Sequence, residues 1–194
     1  KPDGGVTIGT LFHEAKANGW QDDNTYQRPS PEEIAERQRK AAERAAREQE
    51  TIQRERQEAA SKAAAILKAA TPAQADHPYL IRKQVAPADT LREIDASAAA
   101  SLLGYQPKSG GEPLTGRLLV VPVKRGGSLS TLELIDGDGR KTALAGRGTK
   151  AGGYWATERL PGGNGQGVTL LIGEGVATVL SASEATGHPA IAAL

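Results

Sequence analysis

The sequence predicts an α/β fold preceded by a long solvent-exposed helix. Three observations lead there. From Glu32 to Ala70 neither Gly nor Pro interrupts a run rich in Glu, Lys, Arg and Ala. From Arg117 onward the pattern changes to short apolar runs separated by Gly-rich turns, the signature of strands. The chain then closes on an apolar run, a Gly-bounded helical stretch and a second apolar run, a β-α-β unit whose strands are expected to be parallel with a right-handed crossover.

Composition sets the frame. Only 38% of the 194 residues are hydrophobic and 4% aromatic, and much of the apolar fraction is Ala, so a core is expected in part of the chain only. There is no Cys, which excludes disulfides, thiolate metal sites and cysteine nucleophiles. The three histidines, His13, His77 and His188, lack metal-ligand spacing. The formal net charge of +1 gives no global argument for nucleic acid, so any such case must be local. No apolar run approaches the roughly 18 residues of a membrane span, and no signal-peptide pattern opens the chain. A cytoplasmic location is therefore expected. With no Met and Lys1 in first place, the chain is expected to be a segment of a longer polypeptide.

The first helix is expected over Leu11–Asn18, with Thr10 as N-cap and Gly19 as stop, presenting Leu11, Phe12, Ala15 and Trp20. Residues 21–29 are polar and turn-rich, a linker. Ser30, Pro31 and Glu33 then form a capping box with proline at the first helical position. The helix they start has acid-before-base pairs four residues apart, among them Glu36/Lys40, Glu43/Arg47 and Glu58/Lys62, each stabilising by about 0.2–0.5 kcal/mol. No seam of large apolar residues runs along it, so a spacer is expected rather than a coiled coil. Only its last turns, Ala63–Leu67, are apolar enough to dock. Thr71-Pro72 closes it. Leu91–Leu103, with apolar residues near helical spacing, reads as a short helix. Leu118–Val123 and Leu129–Ile135 read as strands, with Asp136-Gly137-Asp138-Gly139 as a type I′ hairpin turn and Arg140–Leu144 returning. Tyr154-Trp155 is a short strand and 161–167 a loop. Val168–Gly173 is the most apolar strand, expected to be buried; Val176–Thr186 is helical, Gly187 stops it, and Ala190 begins the last strand.

Glu174 is the most informative single residue. It falls where a strand ends and a helix begins, the place where open α/β sheets bind ligands. A fixed carboxylate there suits Mg²⁺ coordination or proton transfer. The plainer alternative is a Glu that caps the helix. The surrounding glycines form neither a P-loop, since no Gly-Lys-Ser/Thr follows, nor a dinucleotide fingerprint, since Thr178 occupies the third glycine position. Asp136 and Asp138 read as turn residues rather than a metal pair. Between Arg117 and Lys150 seven basic residues, Arg117, Lys124, Arg125, Arg140, Lys141, Arg147 and Lys150, outnumber three acids, with glycines that allow close approach to phosphate. Solvated strand edges are the competing reading.

The segments HPYLIRK, GRLLVVPV, LELIDGDGRKTALAGRGTKAGGY and LLIGEGVATVLSASEATG, in this order over about Asp76–Leu194, resemble the Toprim-domain DNA primases of phages and conjugative plasmids. GGVTIGTLFHEAKANGW resembles the end of a helical module found beside such domains. The resemblance implies four regions: 1–29, the tail of an upstream helical module plus linker; 30–70, a charged helical spacer; 71–165, a primase-like α+β subdomain; and 166–194, the start of a Toprim domain. It implies that Glu174 matches the Toprim glutamate, acting as general base or acid in nucleotidyl transfer and as a candidate metal ligand. The family's paired metal-binding aspartates would lie after Leu194, so these residues alone are expected to be inactive. Arg117, Lys141, Arg147 and Lys150 would face template and nucleotide. The implied cofactor is Mg²⁺ or Mn²⁺. The implied partners are a single-stranded DNA template and ribonucleoside triphosphates, with room for a replicative helicase, in the cytoplasm of a bacterial host. Two other readings stay open: a Toprim-type nuclease, and a non-catalytic nucleic-acid-binding or scaffold module.

Overall fold

The computed structural model describes residues 7–20, 29–146, 148–160, 162 and 165–194. It has mixed α/β structure with a long helix near the N terminus, and it divides into two compact units, Lys1–Arg47 and Glu48–Leu194.

In the first unit, α1 (Ile8–Ala17) starts one turn earlier than its sequence suggests. The cap is Thr7, whose Oγ1 accepts from the Thr10 N–H at 3.2 Å, so Thr10 is inside the helix. None of its residues is buried, and Phe12 packs on Trp20 with ring centroids 5.6 Å apart. The second helix, α2 (Pro31–Ala69), begins at the capping box. Ser30 N–H donates to Glu33 Oε2 at 2.7 Å, and Glu33 N–H donates to Ser30 Oγ at 3.1 Å. Two orphan amides of the first turn are thereby satisfied. Glu36 pairs with Lys40 at 2.7 Å as expected, and Arg39 reaches Glu43 in the reverse order at 3.9 Å.

The second unit takes up the last turns of α2, where Ala59, Ala63 and Ile66 are buried. Its elements are β1 (Thr71–Pro72), α3 (Pro78–Lys83), β2 (Arg92–Asp95), α4 (Ala96–Leu103), β3 (Lys108–Ser109), β4 (Glu112–Pro113), β5 (Arg117–Arg125), β6 (Ser128–Ile135), β7 (Lys141–Ala143), β8 (Tyr154–Ala156), β9 (Leu171–Gly173), α5 (Val176–Thr186) and β10 (Ala190–Ala193). The main sheet runs β1-β2-β5-β8-β10-β9, with β6 on the other edge of β5 and β7 beyond it. β9 and β10 are parallel; the other pairings are antiparallel.

Strand alternation sends side chains to two faces. Leu118 and Val120 of β5, with Leu132 and Leu134 of β6, pack against Ala63 and Ile66 of α2 and Ala99 and Leu103 of α4. Leu119 and Val121, with Ile135, pack on the opposite face with Tyr79 and Leu80 of α3, Trp155 of β8, and Val176, Val179 and Leu180 of α5. The two central strands are thus covered on both sides, and each fully buried Leu or Val contributes about 1.5–3 kcal/mol.

Three local readings change. The stretch Leu91–Leu103 is a strand followed by a helix: Asp95 leaves β2 and caps α4, its Oδ1 accepting from the Ser97 N–H at 2.8 Å. The cap residue resets the period that Leu91 and Ile94 appear to share with the helix. The Asp136–Gly139 turn is not type I′, because Gly137 lacks a positive φ and only Gly139, at φ 81°, is left-handed. Asp136 instead closes the turn itself, accepting from the Arg140 N–H at 2.9 Å. Finally, the run Val168–Gly173 is a strand only over Leu171–Gly173 and is the outer edge of the sheet, with Ile172 71% exposed.

Candidate functional site

Glu174 stands in the turn between parallel strand β9 and α5. Gly173 before it packs against the helix: a Cβ there would lie 2.9 Å from Val179 Cγ1. Gly175 after it is the N-cap of α5, with extended backbone and no side-chain cap hydrogen bond. Glu174 is exposed and makes no hydrogen bond or ion pair with the described residues. It therefore does not cap α5 through its side chain. The glycines on either side let the helix start close to the strand end, which leaves this carboxylate presented to solvent beside the first turn.

The basic residues singled out by sequence have a different setting. Arg117 donates from Nη1 to Asp76 Oδ1 at 2.8 Å and to Glu93 Oε1 at 3.3 Å, and from Nη2 to the Asp76 carbonyl at 2.7 Å. The hydrogen bond from Arg117 holds the Asp76 carboxyl below the usual carboxylate range. Lys150 Nζ lies 2.5 Å from Glu133 Oε1, and Lys141 Nζ lies 3.9 Å from the same oxygen. Arg140 Nε donates to Asp136 Oδ2 at 2.9 Å. Glu93, Glu133 and Asp136 are all buried, so these cations compensate carboxylates that would otherwise be stranded. Arg147 lies outside the described residues. The site residues do not converge: Arg117 is on the β2 side of the sheet, while Lys141 and Lys150 meet at Glu133 on β6. The described residues contain no group of three or more His, Asp or Glu placed to hold a metal ion.

Sequence reasoning passed over the buried acids. Their signal is a lone Glu at an apolar position, as in Leu132-Glu133-Leu134 on a strand covered on both faces. It also passed over a cleft of about 430 Å³ along β8, bordered by Thr90, Lys124, Tyr154, Glu158, Arg159 and Leu160. Trp155 belongs to the core on the α5 side, so its neighbours Tyr154 and Ala156 face the other way, as does Pro122 next to Val121. The cleft thus opens on the sheet face away from α5. Lys124 and Arg159 are exposed and form no ion pair among the described residues.

Comparison of the chain with protein-family models, curated proteins and solved structures finds no match. Among the described residues no helix is long and apolar enough to cross a membrane.

Proposed function

We propose that this chain is part of a DNA primase of the Toprim type, in which Glu174 serves nucleotidyl transfer during RNA-primer synthesis on single-stranded DNA. The observation that supports the reading is the solvent-facing Glu174 carboxylate between Gly173 and Gly175, at the carboxyl end of a parallel strand and outside any cap or ion pair. Ligands of open α/β sheets gather at such ends. In-line attack of a 3′-hydroxyl on a triphosphate requires a route for the hydroxyl proton, and an unpaired carboxylate held at a fixed backbone position is suited to accept it.

Mg²⁺ or Mn²⁺ fits this site only loosely. Mg²⁺ retains several waters and takes one or two protein carboxylates together with substrate phosphates. Glu174 is one such carboxylate, and the metal would supply neutralisation of phosphate charge. No cage of described side chains surrounds it.

The test is primer synthesis on single-stranded DNA by the natural polypeptide that carries these residues, with labelled ribonucleotides and Mg²⁺. Glu174→Gln is expected to keep its melting temperature, because the side chain has no partner to lose, while synthesis falls about 10²–10⁴-fold, the range for loss of a general base. Near-normal synthesis by a folded Glu174→Gln protein refutes the assignment and leaves a nucleic-acid-binding or scaffold role. Cleavage of DNA that depends on Glu174 in place of synthesis would favour the nuclease chemistry.

A further inference from the structure

We infer that the cleft along β8 holds a segment of single-stranded nucleic acid, with Lys124 and Arg159 on its phosphates and the Tyr154 ring against a base. The inference rests on the nucleotidyl-transfer reading for its biological context but on separate residues for its evidence. Charge complementarity selects the occupant. Arg117, Arg140, Lys141 and Lys150 are tied to carboxylates. Lys124 and Arg159 border the cleft without an ion-pair partner among the described residues, and Arg125 is exposed next to Lys124. Tyr154 is half-buried, with its alternation placing the ring on the open face of the sheet. An aromatic platform beside cations is how single strands are bound without sequence preference, and stacking needs a base face that a duplex does not offer. The cleft, about 430 Å³, has the size of a site for one nucleotide unit. Glu158 also lines it. Its carboxylate disfavours phosphate at that border, which sends the backbone along the Lys124 and Arg159 side and leaves Glu158 to accept from a base N–H group.

Strand register relates this cleft to Glu174. Lys124 of β5 is opposite Tyr154 of β8, Tyr154 is opposite Ala193 of β10, and Ala192 is opposite Gly173 of β9. Glu174 therefore follows β9 at the level of Ala193, Tyr154 and Lys124. Three strand spacings of about 4.8 Å set the Lys124 and Glu174 backbones roughly 14 Å apart along one end of the sheet. A strand seated on Tyr154 and Lys124 runs toward the carboxylate.

The experiment measures anisotropy of a fluorescent dT12 oligonucleotide titrated with the 194-residue chain between 50 and 200 mM KCl. The variants are Lys124→Ala/Arg159→Ala, Tyr154→Leu and Tyr154→Phe. Lys83→Ala/Lys108→Ala, which removes the same charge elsewhere, is the control. The cleft double variant is expected to lose at least ten-fold in affinity and to flatten the salt slope by about 1.4, the value for two phosphate contacts on a single strand. Tyr154→Leu is expected to lose roughly ten-fold, with Tyr154→Phe retaining binding because the ring remains. Lys124 and Arg159 are surface residues, so their variant reports binding even if Tyr154→Leu unfolds. Absence of dT12 binding by the parent, equal loss in the control, or displacement by poly-glutamate as effective as by unlabelled dT12 overturns the inference. A failed synthesis assay with this binding intact removes the chemistry and leaves the cleft.

Discussion

Replacing Lys150 with Ala separates a structural cation from a nucleic-acid contact. Glu133 lies on β6, opposite Val121 of β5, with its side chain only 3% exposed, and its Oε1 is 2.5 Å from Lys150 Nζ. Truncating one member of a buried ion pair costs about 3–5 kcal/mol, because the remaining charge stays in a poorly solvating place. Two features lower that figure here. The Lys150 side chain is 31% exposed, so water already reaches the pair, and Lys141 Nζ at 3.9 Å remains as a partial substitute. A loss of about 2–3 kcal/mol is expected, which for a unit of this size is about 5–10 °C in melting temperature. Replacing Glu133 with Gln in the same protein removes the stranded charge and is expected to restore at least half of the loss, a non-additivity that marks direct coupling. The assay is thermal unfolding of parent, Lys150→Ala and Glu133→Gln/Lys150→Ala at constant salt, beside oligonucleotide binding. A Lys150→Ala melting temperature within about 1 °C of the parent, or a double variant less stable than the single, refutes the reasoning. It would return Lys150 to the role its basic, glycine-flanked sequence suggests.

Two further outcomes follow from groups packed beside the sheet. His77 is buried; its Nδ1 accepts from the Tyr79 N–H at 3.2 Å and its Nε2–H faces the Arg117 carbonyl at 3.0 Å, so the neutral ring satisfies both partners. Burial holds its pKa below 6.5; the hydrogen bond to the Arg117 carbonyl and the carboxylates of Glu93 and Asp76 oppose this shift, and the Arg117 guanidinium charge adds to it. The unfolded chain thus takes up a proton that the folded one resists: stability is full above about pH 6.5 and falls as pH drops below it. Melting curves from pH 7.5 to 5 are expected to show this decline, and His77→Asn to flatten it. Gly153 is held by closeness rather than by φ: a Cβ would meet Val123 Cγ1 at 2.6 Å and the Lys150 carbonyl oxygen at 2.8 Å. Gly153→Ala is expected to cost about 2–3 kcal/mol in urea unfolding, since backbone cannot yield as a side chain would.

What could be read in advance was local. The capping box of Ser30 and Glu33, the stop at Gly187 and the β-α-β order around Glu174 each depend on residues a few positions apart, and each is present. The turn at Asp136 was legible as a turn, but its type was decided by the carboxylate of Asp136, which Arg140 occupies. The basic residues were legible as a charge bias and not as ion pairs. Glu133 is 17 residues from Lys150 and Glu93 is 24 from Arg117, so the pairing exists only once the sheet is assembled. The exposure of Ile172 was hidden for a related reason. An apolar run announces affinity for a core, whereas the order of strands in the sheet decides whether a core lies on both sides. The cleft on β8 had a weak signal, since Tyr154 and Arg159 share one short stretch but Lys124 joins them only through the pairing of β5 with β8.

The position of β10 between β8 and β9 has a consequence for how the chain is made. Synthesis proceeds from the N terminus, and among the described residues β9 pairs only with β10. Between the appearance of Gly173 and that of Ala190, Leu171 and Ile172 have no strand to pair with, and the apolar side of α5 lacks Ala190 and Ala192. At about 5–20 residues per second this interval lasts on the order of 1–3 s, long compared with helix formation. A few small residues, Ala190 to Ala193, give β9 its strand partner and join it to β8 at once.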